Sequence, residues 1–485
     1  MQVNIGQADF EEPTTEIESQ DELESGEAID LMLSILSDQL DHPELWAAIP
    51  QFVDGLPDLM SALEARLAAE SNERDRIFIL LLVAMVGASL GHAPLMLEQI
   101  RPLSARFSQS PLVQGAIFHL ESLCDPDDPK YHLAERFCPN PFMQFDVLEN
   151  STHLCCASYL LTSAGNLKEA DWEQVWNSDR AQQIRESIHD GSYRYCNKTA
   201  CPRIQSGNVP THAEQASQSD FWRETIENRA TSLPVGPQRV NLAYDRTCNL
   251  SCPSCRVERY AADEATRSAY DQLQKRAILP LLKQAQVVFI TGSGDPFASK
   301  NFRRLMESLT PDEYPDLRFQ VMTNGMLLTP AQWAQFPTLH GRTKILKISI
   351  DAATGPTHER LRRGARWPVM LENMAFAGRL AAEGLIENYE LVFTVQTDNY
   401  REMGDAVDLA HRMGANSVFF ARLTNWGTFG VEEYREKAVF LPEHPDHQDF
   451  LQQMRDPRLR DPIVLPGDLK AFIWSEGREK EAAAA

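Results

Sequence analysis

The chain has 485 residues, which is too long for one ordinary domain and enough for about two to four. Hydrophobic residues make up 43% of it, so it can bury sizeable cores. Its formal charge of −23 repels phosphate backbones and disfavours nucleic acid as a partner. The first Lys or Arg is Arg66, so we expect no secretory or transit signal and a cytoplasmic location.

The N-terminal part divides into an acidic tail and a helical domain. Residues 1–28 are acidic and poor in large apolar residues, so we expect disorder. Residues 29–130 show helical periodicity and predict an all-α domain of about five helices. Their longest apolar run, Ile77 to Gly91, is too short to span a bilayer and predicts a buried helix. Cys124 is expected to pack in the core.

A second region, residues 131–212, is rich in cysteine and is predicted to be a small separate domain. Its cysteines are Cys138, Cys155, Cys156, Cys196 and Cys201. Thiolates from four points of such a region can close a saturated [4Fe-4S] cluster. A zinc-ribbon-like site with four cysteine ligands is the alternative.

Residues 213–237 contain a short helical pattern and then a Pro/Gly-rich stretch, which predicts a linker. From 238 to 430, short β-branched or aromatic runs alternate with helical patterns. The predicted strands are Arg239–Tyr244, Val287–Thr291, Phe319–Met322, Ile345–Ile350, Leu391–Val395 and Ser417–Phe420. This alternation favours an α/β fold with parallel strands in a partial (β/α)6 barrel, whose chemistry lies at the carboxyl ends of the strands. Residues 431–485 form a C-terminal extension to which we assign no function.

The first of these strands leads into the sequence CNLSCPSC, which contains Cys248, Cys252 and Cys255. A tetrahedral zinc site would need a fourth ligand, yet no cysteine follows and the next histidine is His340. A [4Fe-4S] cluster can instead use three thiolates and leave one iron open for another ligand. A partial zinc site or buried structural thiols are the alternatives.

Polar residues follow several of the other strands. The sequence TGSGDPF contains Ser293, Gly294 and Asp295, where glycine allows close approach of a ligand and the carboxylate can accept from an ammonium; an ordinary turn is the alternative. Asp351 follows the fourth strand and is either a ligand contact or a helix N-cap. Nearby arginines could offset a ligand carboxylate, although arginines on such a helix are usually solvated. They are Arg360, Arg362 and Arg363.

The order of these motifs resembles that of radical S-adenosylmethionine (SAM) enzymes. In that family the three-cysteine loop holds a [4Fe-4S] cluster whose open iron chelates SAM. TGSGDPF resembles the family's Gly-Gly-Glu-Pro motif, with Ser293 and Asp295 as departures. The resemblance implies SAM contacts from the following strand ends. They are Ser293, Gly294, Asp295, Ser349, Asp351 and Gln396.

The cysteine-rich region resembles the SPASM or twitch auxiliary domain of the same enzymes. The resemblance rests on CPNPF, HLCCAS, GNL, a Trp-Asn-Ser helix and CNKTAC. It implies a second [4Fe-4S] cluster, with Cys155 preferred to Cys156 as the hairpin ligand. The implied ligands are Cys138, Cys155, Cys196 and Cys201. In the family this domain usually follows the barrel, whereas here it precedes it.

The resemblance implies that the enzyme reductively cleaves SAM to a 5′-deoxyadenosyl radical, which abstracts a hydrogen atom from the substrate. A residue of a peptide or protein is the expected target. A radical SAM dehydrogenase or epimerase of a sugar or other small molecule is the alternative, and a non-catalytic zinc or iron–sulfur scaffold is a third hypothesis. The implied partner is a reducing electron-transfer protein such as flavodoxin or ferredoxin, and we expect no membrane association.

Overall fold

A computed structural model describes residues 24–473 of the chain. These residues form two compact units. The first contains residues 24–38 and 44–100, and the second contains residues 39–43 and 101–473. Most of the predicted acidic tail lies outside the described residues, but helix α1 begins at Ser25, inside the predicted range.

The first unit is all-α, as predicted. Its helices are α1 (Ser25–Leu36), α2 (Pro43–Gly55), α3 (Leu59–Ala69), α4 (Glu73–Gly87) and α5 (Ala93–Ile100), with a π-helical turn at Ala88–His92. Asn72 caps α4, because its side chain accepts hydrogen bonds from the main-chain N–H groups of Arg74 and Asp75. Leu36, Leu63 and other apolar side chains form its buried core.

The helical stretch from α4 to α5 is longer than the apolar run in the sequence. Within residues 24–473, Glu73–Ile100 is one helical stretch with the length and hydropathy of a membrane span, and 61% of its most apolar window is buried. The core helix of a folded domain has the same properties, so the prediction of a buried helix remains the simpler interpretation.

The second unit begins with helices α6 (Leu103–Arg106) and α7 (Pro111–Cys124). Cys124 is exposed at the end of α7, so the prediction that it packs in the core is wrong. The cysteine-rich region and the segment after it supply α8 (Trp172–Trp176), α9 (Asp179–His189), α10 (Pro202–Gln205), α11 (His212–Ala216) and α12 (Asp220–Glu227). The remaining helices are α13 (Glu264–Leu273), α14 (Leu279–Leu282), α15 (Lys300–Ser308), α16 (Pro330–Trp333), α17 (Gly355–Leu361), α18 (Trp367–Ala382), α19 (Met403–Arg412), α20 (Val431–Lys437), α21 (His447–Gln453) and α22 (Lys470–Ile473).

The second unit is built on one sheet of nine strands. In chain order they are β1 (Gln144–Val147), β2 (Thr152–His153), β3 (Arg239–Leu242), β4 (Val287–Ile290), β5 (Arg318–Thr323), β6 (Thr343–Ser349), β7 (Ile386–Val395), β8 (Ser417–Arg422) and β9 (Val464–Leu465). The spatial order is β2-β1-β3-β4-β5-β6-β7-β8-β9, and every pair is parallel except β1 with β2. The predicted strands β3 to β8 and their helices form the expected partial barrel.

The strands alternate between fully buried and partly exposed residues. In β5, for example, Phe319, Val321 and Thr323 are buried while the residues between them are partly exposed. This period of two indicates one covered face and one accessible face. Helices α18 and α19 pack against β7 and β8 respectively and cover part of the buried face.

The sheet extends beyond the predicted barrel at both edges. β1, from the cysteine-rich region, pairs in parallel with β3, and β9, from the C-terminal extension, pairs with β8. The predicted linker at 213–237 is helical in its first half. Its second half is hydrogen-bonded to the cysteine-rich region, since Trp176 Nε1 donates to Val235 O at 2.9 Å. The composition boundary at 213–237 therefore does not separate two independent sheets.

Candidate functional site

The three-cysteine loop lies at the carboxyl end of β3. Cys252 is buried, Cys248 is partly buried and Cys255 is exposed. Leu250 and Ala365 form a small apolar cluster with Cys252, separate from the main core. The loop is therefore anchored by an apolar base while two of its thiols remain accessible.

Each sulfur of the loop has a side-chain N–H donor. Asn324 Nδ2 lies 3.5 Å from Cys248 Sγ, Arg362 Nη1 4.0 Å from Cys252 Sγ, and Arg256 Nη2 3.4 Å from Cys255 Sγ. Burial raises the pKa of Cys248 to about 11. Burial also raises the pKa of Cys252, while the charge of Arg362 opposes that shift. Such thiols become stable thiolates when a metal centre compensates their charge, and N–H donors then stabilise the bound sulfurs.

The donor set fits a cluster better than a zinc ion. A tetrahedral zinc ion would need a fourth ligand beside the three thiols, and no cysteine follows Cys255 in the sequence. A zinc ion would bring all its thiolates within about 2.3 Å of one point, whereas each thiolate of a [4Fe-4S] cluster binds its own iron. The three thiols and their donors therefore suit the predicted cluster.

The loop after β4 is fastened to the cysteine loop. Asp295 N donates to Thr247 O at 2.9 Å, and Arg256 Nη2 donates to Ser293 O at 2.6 Å. A Cβ on Gly294 would lie 2.5 Å from Asp245 O, so only glycine allows this contact. Gly294 thus lets the backbone before Cys248 lie close to the loop after β4, and the approach of a ligand at this glycine remains a prediction.

Asp295 is fully buried, and its carboxylate is engaged by groups of the protein. Oδ2 accepts hydrogen bonds from Thr323 Oγ1 at 2.7 Å and Asn324 N at 2.9 Å. Oδ1 accepts from Phe297 N at 3.1 Å and Ala298 N at 3.2 Å. Burial raises the pKa of the carboxyl group, and these donors oppose the shift. Asp295 therefore joins the ends of β4 and β5, and the contact of its carboxylate with an ammonium remains a prediction.

Asp351 follows β6 in a left-handed backbone conformation, with φ of 50°. This is unusual for a residue other than glycine and is often found at functional sites. Its Oδ2 lies 2.7 Å from Arg362 Nη2, and its Oδ1 accepts a hydrogen bond from Thr394 N at 2.8 Å. It is not a helix N-cap, since Thr354 occupies that position of α17.

The three arginines after β6 have different environments. Arg360 is exposed and pairs with Asp398, while Arg363 donates to Ser251 O and holds the cysteine loop. Arg362 is 14% exposed and reaches towards Cys252. Burial by itself lowers the pKa of Arg362, but Asp351 and the nearby thiols raise it overall, so the guanidinium is charged. Its buried Nε has no hydrogen-bond partner within residues 24–473.

The other predicted contact residues lie at the same edge of the sheet. Ser349 ends β6 and Gln396 follows β7, and both are buried. Asn399 Nδ2 donates to Asp351 O at 2.9 Å and to Thr394 O at 2.8 Å, which fixes the ends of these strands. Because the strands are parallel, these groups share an edge with the cysteine loop.

The cysteine-rich region brings its predicted ligands together. After burial, the largest cause that raises the pKa of Cys155 is the Cys138 thiol, followed by that of Cys201. The pKa of Cys196 is raised well above its usual value by burial and then by Cys201 and Cys138. Cys156 instead faces Ser158 and Asp146. These neighbours support Cys155 rather than Cys156 as the fourth member of the set.

Several residues of the site could not be identified from the sequence. Arg256 directly follows the third cysteine, a position that could have drawn attention, but its contacts with Cys255 and Ser293 O appear only in the fold. Asn324 directly follows β5, and its hydrogen bond to Cys248 depends on how β3 and β5 are placed.

The comparison with protein families assigns the two sets of cysteines to two different domains. The family described as the radical SAM superfamily matches residues 245–417, from the cysteine loop to the start of β8. The chain carries a radical SAM domain. The family described as an iron–sulfur cluster-binding domain, SPASM, matches residues 138–202. Both predicted resemblances are confirmed, including the position of the SPASM domain before the radical SAM domain.

These two domains define the cofactors. A radical SAM domain implies a [4Fe-4S] cluster and SAM, and a SPASM domain implies auxiliary iron–sulfur clusters. The thiols, their N–H donors and the charged pair of Arg362 and Asp351 fit such groups.

Similar solved structures include SuiB from Streptococcus suis bound to precursor peptide SuiA, with 11% identity and a TM-score of 0.33 over 54% of this chain and 57% of SuiB. anSMEcpe with bound AdoMet and Kp18Cys peptide has 18% identity and a TM-score of 0.29 over 39% of this chain and 52% of its own. TYW1 with a lysine-pyruvate adduct has 13% identity and a TM-score of 0.31 over 46% and 74%. The chain thus spans little more than half of the length of SuiB and anSMEcpe. No curated protein matches the chain.

Proposed function

We propose that the protein reductively cleaves SAM and abstracts a hydrogen atom from a residue of a peptide or protein. The observation that carries the proposal is the arrangement at the carboxyl end of β3, where three thiols of one loop each face an N–H donor. When bound, the [4Fe-4S] cluster and SAM supply the 5′-deoxyadenosyl radical that attacks an unactivated C–H bond.

In this proposal Cys248, Cys252 and Cys255 hold the cluster. Arg362 lies beside Cys252, and its Nε has no hydrogen-bond partner within the described residues, so we assign it to the carboxylate of SAM. Asp351 orients Arg362 through the 2.7 Å ion pair. Asp295 keeps the loop after β4 against the cysteine loop, so its role is positioning.

The remaining strand ends would orient SAM or the substrate. Ser349 and Gln396 are assigned to this role because they lie buried at the edge that carries the cysteine loop. Ser293 and Gly294 lie beside the cysteine loop, so main-chain groups rather than side chains would make the contacts there.

Cys138, Cys155, Cys196 and Cys201 are assigned to the auxiliary cluster. Asn140 Nδ2 lies 3.5 Å from Cys155 Sγ and would donate to that sulfur. Tyr193 Oη accepts from Cys138 N at 3.1 Å and so fixes the first ligand. Such a cluster could accept an electron from the substrate, which would make the net reaction an oxidation.

The choice of a peptide rests on the loops near the site. Val257 and Tyr260 follow the cysteine loop and are 79% and 36% exposed, and Trp426, after β8, is 63% exposed. Exposed apolar and aromatic side chains suit the side chains of a peptide better than the hydroxyl groups of a sugar. We further propose a cytoplasmic enzyme that receives electrons from a flavodoxin- or ferredoxin-like protein.

The test is an anaerobic assay of the reconstituted protein with SAM, dithionite and short peptides encoded beside its gene. A peptide substrate should increase the formation of 5′-deoxyadenosine, and the mass of the peptide itself should change. Turnover that responds to a sugar nucleotide but to no peptide would favour a small-molecule enzyme. A well-formed cluster that yields no 5′-deoxyadenosine would favour a non-catalytic scaffold.

A further inference from the structure

A cavity of about 690 Å³ lies next to the auxiliary cysteines. Met143, Gln238 and Arg239 line it, and they stand at the amino ends of β1 and β3. The three-cysteine loop follows the carboxyl end of β3, so the cavity lies at the other end of these strands. Its volume is typical of ligand sites.

Three arginines line the cavity, namely Arg136, Arg203 and Arg239. Within residues 24–473 none of these three side chains has a carboxylate within 4 Å, although Arg136 donates to Val209 O, and Arg203 donates to Asn140 Oδ1 and interacts with the Cys138 thiol. The acidic residue in the lining, Glu214, accepts hydrogen bonds from the main chain and hydroxyl of Thr211. In a chain with a net charge of −23, this concentration of positive charge is local and unusual.

Arg203 and Arg239 repel each other electrostatically. Burial lowers the pKa of Arg239 and the charge of Arg203 lowers it further, while Cys155 and Asp146 oppose this shift. A bound anion would relieve this repulsion, and the planar fork of arginine matches the two oxygens of a carboxylate. Side-chain amides complete the lining and can bond a carboxyl group or a peptide unit. They belong to Asn140, Asn208, Gln215, Gln218 and Gln238.

We propose that this cavity binds a ligand that carries carboxylate groups, supplied either by a free polycarboxylic acid or by an acidic peptide segment. Arg239 and Arg203 bind the carboxylates. Arg136 also lines the cavity, where it donates a hydrogen bond to Val209 O. The site is separate from the proposed SAM site, because it lies at the other end of β3.

The cavity is connected to the auxiliary site by two hydrogen bonds. Arg203 Nη1 donates to Asn140 Oδ1 at 3.1 Å, and Asn140 Nδ2 lies 3.5 Å from Cys155 Sγ. A ligand that engages Arg203 therefore shifts a donor of an auxiliary thiol. Binding should change the electron paramagnetic resonance spectrum of the reduced auxiliary cluster without the need for SAM turnover.

The test is isothermal titration calorimetry of the reconstituted full chain with citrate, with a short oligoglutamate and with the matched oligoglutamine. We expect one of the two acidic probes to bind and oligoglutamine not to bind; the acidic probe that binds identifies the source of the carboxylate. Arg239→Gln should weaken binding roughly tenfold, because a charge-assisted hydrogen bond is lost. Arg136→Gln, a second variant on the cavity wall, should also weaken it.

Arg318→Gln is the matched control. Arg318 begins β5 and stands in register with Val287, which in turn pairs with Arg239, but it does not line the cavity. This variant should bind like the unmodified protein. Absence of binding by both acidic probes, or equal affinity for folded Arg239→Gln and the unmodified chain, would overturn the proposal. Either result leaves the SAM cleavage assay unaffected, so the two proposals fail independently.

Discussion

Replacement of Arg362 by methionine should destabilise the protein far more than the same change at Arg360. Arg362 is 14% exposed and pairs at 2.7 Å with Asp351, which is 3% exposed. Arg360 lies two positions earlier, is 56% exposed and pairs with Asp398 at 3.5 Å. The two variants therefore remove the same side chain from neighbouring positions that differ in burial.

The magnitude follows from the charge that remains. Removing one partner of a buried pair costs about 3–5 kcal/mol, because the other charge stays buried and unpaired. An exposed pair contributes about 0–1 kcal/mol. When Asp351→Asn is added to Arg362→Met, part of the lost free energy of unfolding should be recovered, since the second change removes the unpaired carboxylate.

The assay is anaerobic urea unfolding followed by far-UV circular dichroism, together with the iron content of each variant. Arg362→Met should also lower the affinity for SAM, whereas Arg360→Met should leave it unchanged. If the free energies of unfolding of the two variants fall by the same small amount, Arg362 and Asp351 do not form a buried pair and our reasoning about this side of the site is wrong.

Three further predictions concern other parts of the second unit. Cys155→Ala should lower the iron content from about eight to about four per chain, whereas Cys156→Ala should leave it near eight; equal losses would contradict our choice of ligand. Gly294→Ala should cost about 1–3 kcal/mol in unfolding free energy, since its Cβ would meet Asp245 O at 2.5 Å, while Gly292→Ala, with no neighbour closer than 3.5 Å, should cost less. Burial lowers the pKa of His358 to about 4. The unfolded chain therefore takes up this proton first as pH falls below about 6.5, and the protein should lose about 2 kcal/mol between pH 7 and 5; His358→Gln should remove this part of the pH dependence in urea titrations.

The sequence predicts those parts of the fold that depend on local pattern. β3 to β8 are recognisable because each is a short apolar run that precedes a helical pattern. The sequence does not identify β1 and β2 as members of the sheet, because both are short. Their place in the sheet is set by the pairing of β1 with β3, far along the chain. The same holds for β9, which has two residues and pairs with β8.

The site shows the same division. The spacing of the three cysteines is visible in the sequence and predicts a cluster site. The structure adds an N–H donor near each of the three sulfurs. The role of Asp295 could not be read, because its donors Thr323 and Asn324 arrive from the end of the next strand. Nor could the sequence select Arg362 from three arginines, since only tertiary packing buries one of them beside Cys252.

The most direct test of the central claim is the yield of 5′-deoxyadenosine from SAM and dithionite in anaerobically reconstituted protein, compared with Cys252→Ala and Cys156→Ala. We expect the unmodified protein and Cys156→Ala to cleave SAM. We expect Cys252→Ala to lose this cleavage together with about four irons per chain. Undiminished cleavage and iron content in Cys252→Ala would contradict a three-thiolate cluster at the carboxyl end of β3.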